Sequence, residues 1–493
     1  ASGLLLGSGF LYPVLWPLSL WGGVWFLCLL EKLGPGWRLV YVSWIVGSVK
    51  AAVALGWMWS VYPIIYIPHT LGWLELPVIG LYWSTTALVI GAGYILFALT
   101  AVYLFRQQWA RWQWPALVLA LGVLWLLAEL AGAWLFSIFT YGSGATLTTA
   151  FSFGFSGYQL AQHPWLLTLA QGGGVYLLTI TFGALLATGW WVWRSDMSYV
   201  PHVMGVSLAC LFATATVADY PLPSDVPDTE GVKVATISTA VPISLMRERA
   251  GQAENRQTLE TALAAALTTP ADVVVFPEDA RLLDQRLPLP RAQSRFAKRF
   301  GTTTASIIDS SRYETERGAV LQAVVVPPGG APWHTVQKGY LVPQGEFLPA
   351  VHGTVLRLIA GASTTELLRR GLDYVVGEDV TQATLPEAQP GILFCFESVD
   401  PRGVRRLLAE RPDLPFVVHP YSHAWFHTPE QLWQQLDTML RVQAVWNDRY
   451  IISAGNHGPS RLYHPTGAIT DVPIIETTDA WQLGLVTLPL PDR

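Results

Sequence analysis

The chain has little charge. Only 13% of its 493 residues are acidic or basic, whereas about 25% is usual in soluble domains, so an ordinary water-soluble globule is excluded. Three cysteines are too few for a disulfide-stabilised scaffold of this length. The chain also lacks a basic tract, and its net charge of −5 offers nothing that would neutralise the phosphates of nucleic acid. We therefore predict no nucleic-acid partner.

Apolar residues make up 52% of the chain and are concentrated in its front half. Residues 1–220 contain 11 acidic or basic side chains, and residues 221–493 contain 54. A membrane-spanning helix needs about 20 apolar residues. We predict a transmembrane helical domain of about seven spans, near residues 3–15, 17–30, 39–60, 80–105, 114–138, 168–193 and 200–217. Because no basic segment precedes the first span, we expect a span there and not a cleavable signal peptide.

The loops between these spans differ in their content of lysine and arginine, which are retained on the cytoplasmic side of a membrane. Every second loop contains basic residues: Lys32, Arg38, Arg106, Arg111 and Arg194. The alternate loops, about 61–79 and 139–167, contain none. We therefore expect residues 221–493 to lie on the extracytoplasmic side. In a bacterium with two membranes, this is the periplasmic side of the inner (cytoplasmic) membrane.

Two ionisable residues fall inside predicted spans, Lys50 in the third and Glu129 in the fifth. Charges at such depth are costly unless they pair or face a polar cavity. Both helices start from the same side, and the two residues lie about 16 Å and about 22 Å along them. We predict an ion pair that holds the bundle together. A proton or ion path is the alternative.

From Gly231 onwards, short β-branched runs alternate with helical stretches. Strands are predicted at 233–239, 273–276, 319–326, 392–396, 416–418 and 450–453, and helices at 255–266, 403–410 and 429–446. Such alternation indicates an α/β domain whose strands are buried on both faces. We therefore predict two domains, the transmembrane domain at 1–220 and an extracytoplasmic catalytic domain at 221–493.

Two candidate reactive residues follow predicted strands, where reactive groups of α/β domains collect. Glu278 leaves its strand through Phe-Pro, so desolvation would suit it as a general base, although most such glutamates are solvated loop residues. Cys395 ends an apolar strand, and the other cysteines, Cys28 and Cys210, lie in predicted spans, so it has no disulfide partner. It is either a nucleophile or a buried core cysteine.

A third segment favours the catalytic interpretation. Lys338 precedes a predicted apolar strand, and Glu346 follows that strand after a glycine turn. A glutamate, a lysine and a cysteine can divide the chemistry of acyl transfer. Glu278 accepts the thiol proton, Cys395 attacks a carbonyl carbon, and the Lys338 ammonium stabilises the oxyanion.

The order of these residues, with the motifs Phe-Pro-Glu278, Leu-Val-Pro-Gln-Gly-Glu346 and Cys395-Phe-Glu397, resembles the nitrilase superfamily. Joined to the membrane half, the chain resembles the membrane branch of that superfamily, the apolipoprotein N-acyltransferases. The resemblance covers almost the whole chain. It implies that the extracytoplasmic domain is a nitrilase-like α-β-β-α sandwich.

The resemblance also implies a two-step reaction. A fatty acyl chain passes from a membrane phospholipid to Cys395 as a thioester, and then to the N-terminal amine of a diacylglyceryl-cysteine lipoprotein. Glu346 would assist Glu278 and Lys338, and Glu397 would support the nucleophile. The implied partners are a phospholipid donor, a lipoprotein acceptor and the bilayer, and no cofactor is expected.

Some family positions differ in this chain. The family's Cys-Tyr-Glu is here Cys395-Phe396-Glu397, and its Asn-Asp-Ala-Trp-Phe is Ser-His-Ala-Trp425-Phe. Phe396 and Trp425 are the expected supporting or substrate-binding aromatic residues. These differences leave the thioester step plausible and the acceptor open. Residues 355–360 form either an arm that dips into lipid or ordinary loop packing.

Two other functions stay open at this point. In a membrane-attached amidase or hydrolase, water would resolve the thioester; a scaffold would bind lipid or protein without catalysis, which the intact Glu, Lys and Cys argue against. His419, His423 and His427 have the spacing of metal ligands on one helix face. Because Pro420 and Pro429 indicate a loop there, we predict no metal site.

Overall fold

A computed structural model describes residues 1–64, 69–107, 113–195, 231–242, 245, 249–283, 289–427 and 429–489. Up to Ser195 the chain forms helices joined by loops, and from Gly231 it mixes strands and helices. The predicted seventh span at 200–217 and the predicted domain boundary at 220–221 lie outside the described residues.

The described front half contains four segments that are long and apolar enough to cross a membrane: Pro13–Leu33, Gly72–Phe105, Trp114–Phe139 and Ala170–Arg194. The predicted helical membrane domain is therefore confirmed. A further helix, Trp37–Ala54, has 18 residues but carries two basic side chains, Arg38 and Lys50. The helices are α1 Ser2–Gly7, α2 Trp16–Leu33, α3 Trp37–Ala54, α4 Glu75–Gly91, α5 Gly93–Phe105, α6 Trp114–Phe139, α7 Gly157–Leu160, α8 Pro164–Leu167 and α9 Ala170–Ser195.

The first predicted span is wrong, because residues 3–15 do not form one helix. Helix α1 ends at Gly7, and two 3-10 turns, Ser8–Phe10 and Pro13–Leu15, precede α2. Glycine has low helix propensity and Pro13 has no N–H to continue a helix. Six helical residues rise only about 9 Å, far short of a bilayer core of about 30 Å.

Helix α9 is kinked where it meets the second half of the chain. Gly173 and Gly174 depart from helical geometry, and Gly174 has a φ of +57°. A Cβ at Gly174 would lie 2.3 Å from the ring of Trp446, so glycine is required for both its conformation and its lack of a side chain. Trp446 belongs to the helix Glu430–Asn447, and its ring contacts α9 at Gly174 and Tyr176.

The described second half contains twelve strands and six helices. Its strands are β1 Gly231–Thr239, β2 Val273–Val275, β3 Ser306–Thr315, β4 Gly318–Val326, β5 His334–Gln337, β6 Gly391–Ile392, β7 Val417–Ser422, β8 Ile451–Asn456, β9 Arg461–Tyr463, β10 Ile469–Asp471, β11 Ile474–Thr477 and β12 Trp481–Pro489. Its helices are α10 Arg249–Leu267, α11 Leu289–Phe300, α12 Ala350–Ala360, α13 Ala362–Gly371, α14 Gly403–Glu410 and α15 Glu430–Asn447. The strand order is β10-β9-β8-β1-β2-β3-β4-β5, with β6 paired to β7, β7 also paired to β8, and β12 paired to both β1 and β11.

These elements form four layers. Helices α10 and α11 pack on β1–β4 through a core that includes Leu259 and Phe296. The other face of β1–β4 packs against β6–β8 through residues such as Val275 and Val418. Helices α14 and α15 cover the outer face of β6–β8. The α-β-β-α layer order expected from the resemblance is therefore confirmed.

Two predictions near the candidate residues are wrong. Strand β6 ends at Ile392, and the chain then forms the 3-10 helix Cys395–Val399, which we name the Cys395 turn. The Glu397 carboxylate accepts a hydrogen bond from the N–H of Phe394, which caps the start of this turn and stabilises it. Lys338 follows strand β5 and does not precede a strand, because residues 339–342 run as a loop.

Strand β7 continues beyond its predicted end at Val418 and reaches Ser422, so His419 lies on a strand and not in a loop. Proline is disfavoured inside a sheet because it lacks an N–H. Strand β6 pairs with β7 only as far as Val418, which leaves one edge of β7 unpaired where Pro420 lies. The sequence pattern does not reveal that free edge.

The predicted ion pair inside the membrane bundle is confirmed. Lys50 Nζ lies 2.6 Å from Glu129 Oε1, and each side chain is only 3% exposed. The Glu129 carboxylate also accepts hydrogen bonds from Tyr94, Trp125 and Ser156. The pair joins α3 to α6 and leaves neither charge without a partner.

We expect Lys50→Met to destabilise the protein strongly, because it leaves the Glu129 carboxylate buried without its cation. Breaking a buried pair costs about 3–5 kcal/mol. The measurement is the thermal unfolding midpoint in detergent. The control is Arg194→Met, because Arg194 pairs with Glu31 at 3.1 Å but is 57% exposed, and such pairs contribute about 0–1 kcal/mol. Equal midpoints for the two variants would contradict the prediction.

Candidate active site

Three of the predicted site residues lie just beyond strands. Glu278 leaves the fully buried strand β2 through Phe276 and Pro277. Lys338 directly follows β5, and Cys395 begins the Cys395 turn beyond β6. The ends of β2 and β6 are carboxyl ends of parallel strands, where an open edge leaves room for reactive groups.

Lys338 joins two carboxylates. Its side chain is fully buried, and Nζ donates hydrogen bonds to Glu278 at 3.0 Å and to Glu346 at 2.7 Å. The second oxygen of Glu346 accepts a hydrogen bond from the backbone N–H of Val342 at 2.7 Å. Burial of an isolated ammonium would be costly, and the two carboxylates offset that cost. The result is one buried cluster of three ionisable side chains, which we name the lysine cluster.

Cys395 lies beside the lysine cluster. The residue is half-buried as a whole, and its thiol interacts electrostatically with Glu278, Lys338 and Glu346. The backbone of Ser422, at the end of β7, also acts on the thiol and lowers its pKa. The structure therefore brings together the residues that were assigned as base, cation and nucleophile from the sequence.

Glu397 connects the two segments that carry Lys338 and Cys395. One carboxylate oxygen accepts hydrogen bonds from the backbone N–H of Gly339 at 2.8 Å and of Tyr340 at 3.3 Å. The other accepts from the N–H of Phe394 at 3.1 Å. Glu397 thereby fixes the distance between the loop after Lys338 and the start of the Cys395 turn.

Burial sets the protonation of these groups. Desolvation raises the pKa of Glu278 to about 7, with Lys338 opposing the rise and Glu346 adding to it. Burial disfavours the charged form of Lys338, but the carboxylates of Glu278 and Glu346 hold its pKa well above the usual value. Burial, and next the Glu278 carboxylate, raise the pKa of the Cys395 thiol. Near neutral pH the site therefore holds an ammonium, a thiol and a carboxyl group that readily gains or loses a proton.

The two predicted aromatic residues occupy different positions. Phe396 is buried, with its ring centroid 5.1 Å from that of Tyr340 and 6.3 Å from that of Phe151 in the membrane half. Trp425 lies half-buried in the turn that follows β7. Phe396 thus marks the junction between the membrane half and the α/β half.

A further buried carboxylate, which was not predicted from the sequence, holds the segment that follows Glu278. Asp309 on β3 accepts hydrogen bonds from the backbone N–H of Leu282 at 3.3 Å and of Leu283 at 2.8 Å, and so holds the segment that follows Glu278. Burial raises the pKa of Asp309 to about 7. The available signal was an acidic residue inside the apolar run Ile-Ile-Asp-Ser, which we did not predict as a strand.

The three histidines have separate partners. His419 donates to the backbone oxygen of Cys395 at 3.1 Å, and His423 Nδ1 accepts from Trp433 Nε1 at 2.7 Å. His427 bonds to a backbone oxygen of the membrane half. Within the described ranges, no group of three or more His, Cys, Asp or Glu side chains is arranged to hold a metal ion.

Curated relatives match this chain over most of its length. It is 25% identical over 479 residues to the apolipoprotein N-acyltransferase of Gloeobacter violaceus, covering 93% of this chain and 82% of the relative. It is 28% identical over 495 residues to the protein of that name from Azotobacter vinelandii, covering 95% and 86%. The protein of that name from Pseudomonas syringae pv. tomato is 27% identical over 468 residues, covering 92% and 83%. The chain is therefore similar, over nearly its whole length, to curated apolipoprotein N-acyltransferases.

Solved structures similar to the chain come from the nitrilase superfamily. A mutant amidase of Nesterenkonia AN1 is 17% identical, with a TM-score of 0.36, and covers 54% of this chain and 94% of its own. A branch 10 member from Saccharomyces cerevisiae is 14% identical, with a TM-score of 0.37, covering 53% and 91%. No family model matches the chain. The likeness to apolipoprotein N-acyltransferases rests on the sequence relatives.

The raised pKa of Glu278 predicts a pH dependence for the reactivity of Cys395. The base form of Glu278 predominates above pH about 7, so alkylation of Cys395 by iodoacetamide should rise through that pH. In Glu346→Gln a neighbouring negative charge is lost and Lys338 interacts with Glu278 alone. Both changes lower the pKa of Glu278, so the midpoint of the profile should move to lower pH.

The alkylation profile is measured by peptide mass spectrometry, which separates Cys395 from the cysteines of the membrane half. Glu366→Gln is the control, because the Glu366 side chain is 53% exposed on α13 and pairs only with exposed arginines. It should leave the midpoint unchanged. If Glu346→Gln behaves like this control, Glu278 is not the base that governs the thiol.

Proposed function

We propose that the chain transfers a fatty acyl chain from a membrane phospholipid, through a thioester on Cys395, to the N-terminal amine of a diacylglyceryl-cysteine lipoprotein. The observation that carries this proposal is the buried lysine cluster beside the half-buried Cys395. The name shared by the curated relatives supports an amide-forming acyltransferase.

In the first step Glu278 accepts the thiol proton while Cys395 Sγ attacks the carbonyl carbon of a phospholipid ester. The Lys338 ammonium stabilises the oxyanion of the tetrahedral intermediate. The carbon–oxygen bond of the ester then breaks, and Glu278 returns its proton to the leaving oxygen. A lysophospholipid departs, and the acyl chain stays on sulfur as a thioester.

In the second step the lipoprotein amine attacks the thioester carbonyl carbon. A carbon–nitrogen bond forms, and Glu278 removes a proton from the nitrogen. The carbon–sulfur bond then breaks, and Glu278 gives that proton to the departing sulfur of Cys395. The amide product leaves, and the thiol and carboxylate return to their starting state.

The remaining site residues have supporting roles in this proposal. Glu346 accepts a second hydrogen bond from the ammonium of Lys338, at 2.7 Å, and so helps to hold it. Glu397 keeps the Lys338 loop against the Cys395 turn. We assign Phe396 and Trp425 to substrate binding, on their placement near the membrane junction and after β7.

Two lipid-anchored substrates require a site close to the bilayer. Helix α15 lies on the membrane bundle, where Gln431 donates to the backbone oxygen of Val53 at 2.9 Å and Gln435 to that of Ala54 at 2.8 Å. Helix α12 exposes Leu358 and Ile359, which favours a lipid-contacting arm at residues 355–360. With the loop charges, these contacts support a catalytic domain on the periplasmic side of the bacterial inner membrane.

We expect the wild-type protein, incubated with labelled phospholipid, to form an acyl adduct that intact mass spectrometry detects. Cys395→Ala should abolish the adduct because it removes the nucleophile. Cys28→Ala is the matched control, since Cys28 lies on membrane helix α2 away from the lysine cluster, and it should leave the adduct unchanged. Lys338→Ala should also abolish it, and Glu346→Ala should slow turnover about 10-fold or more without unfolding the domain.

The fate of the adduct separates the possible functions. Discharge by a synthetic diacylglyceryl-cysteine peptide, but not by its N-acetylated form, supports transfer to an amine. Discharge by water alone would make the protein a hydrolase. If no adduct forms with any phospholipid class, the proposed reaction is wrong and a binding function takes its place.

A further inference from the structure

We propose that the ion pair Lys50–Glu129 in the membrane bundle positions the Cys395 turn, acting through residues 150–156, which we name the connecting loop. Lys50 and Glu129 are thereby positioning residues for the nucleophile, a role that gains its catalytic meaning from the proposed function. The contacts that form this link run from the bundle interior to the residue that closes the Cys395 turn.

The pair holds the connecting loop at two backbone positions. Besides Glu129, Lys50 Nζ donates to the backbone oxygen of Gly154 at 2.6 Å. Glu129 accepts from the backbone N–H of Ser156 at 3.0 Å and from its hydroxyl at 2.6 Å. Both charged side chains therefore form hydrogen bonds with the connecting loop as well as with each other.

The connecting loop in turn holds the Cys395 turn. The hydroxyl of Ser152, which is fully buried, donates to the backbone oxygen of Val399 at 2.6 Å. Val399 is the last residue of the 3-10 helix that Cys395 begins. Phe151 packs against Phe396 within the same turn. The loop thus contacts the Cys395 turn through one directional hydrogen bond and one aromatic pair.

This arrangement gives the bundle control over the position of the thiol. Residues 150–156 are buried but form no helix or strand, so side-chain hydrogen bonds and packing fix their path. A displacement of about 1 Å at a reacting group can cost about 100-fold in rate. If the pair is lost, the loop can shift, and the turn that carries Cys395 loses the anchor at Val399.

The primary test is Ser152→Ala, which deletes the bond to Val399 and the bond with the Tyr158 hydroxyl without changing charge. We expect the iodoacetamide alkylation rate of Cys395 to fall about 10-fold, and acyl-adduct formation to lose kcat with little change in KM, because positioning and not lipid binding is impaired. The matched control is Ser43→Ala, since Ser43 is equally buried, lies on the same helix as Lys50, and bonds to Leu39 of that helix. It should leave both rates unchanged.

A double-mutant cycle tests the link to the ion pair. If Lys50 acts through Ser152, Lys50→Met should slow Cys395 alkylation strongly in the wild-type background and only slightly in the Ser152→Ala background. Where Lys50→Met does not fold, Ser156→Ala replaces it, because it removes a hydrogen bond to Glu129 without leaving an unpaired charge. If the two substitutions lower the alkylation rate independently, so that their fold-changes multiply in the double variant, the inference is overturned.

The two readouts separate failure of the inference from failure of the proposed function. Alkylation needs no lipid, so the cycle is informative even if the wild-type protein forms no acyl adduct. An adduct in the wild-type protein, combined with independent effects in the cycle, leaves the function intact and removes the positioning role of the pair. If the cycle is non-additive but the wild-type protein forms no adduct, the positioning role of the pair stands and the proposed acyl transfer is wrong.

Discussion

The site depends on a single buried ammonium group held between two carboxylates. With Glu278 and Glu346 both ionised, the lysine cluster carries one more negative charge than positive, which burial penalises. One carboxyl therefore exchanges a proton near neutral pH, and Glu278 is the one whose pKa rises to about 7. In the proposed reaction, Glu278 takes the proton of Cys395, and the surplus negative charge moves to sulfur beside the same ammonium. The total charge of the buried group stays constant, so the proton transfer does not bury a new charge.

The four-layer sandwich explains why these residues meet although they are far apart in the chain. Strands β2, β5, β6 and β7 end near one another, and the loops beyond them carry Glu278, Lys338 and Cys395. Two buried carboxylates fix those loops: Asp309 binds the segment after Glu278, and Glu397 binds the segments around Lys338 and Cys395. Strand ends give approximate positions, and buried side chain-to-backbone hydrogen bonds set the final distances.

Elements with a local sequence pattern could be predicted from the sequence, whereas elements that depend on partners distant in the chain could not. Strands β1, β2 and β4 were predicted because β-branched runs mark buried strands. The apolar run before Cys395 reads as one strand, but Glu397 closes it into a turn. The membrane ion pair was predictable because two lone charges in apolar spans need each other. The bond from Ser152 to Val399 was not, since it joins residues 247 positions apart and neither has a local signal.

The ion pair also provides hydrogen-bond partners for buried backbone groups of the connecting loop, which apolar side chains cannot do. Apolar side chains of similar volume often stabilise a bundle as well as a buried ion pair does, so stability alone does not account for Lys50 and Glu129. The connecting loop is irregular, and its backbone groups lie inside the protein next to membrane helices, where water does not replace a missing partner. The ammonium satisfies the oxygen of Gly154 and the carboxylate satisfies the N–H of Ser156. A charged pair can thus hold an irregular loop in one conformation where an apolar pair would leave both groups unpaired.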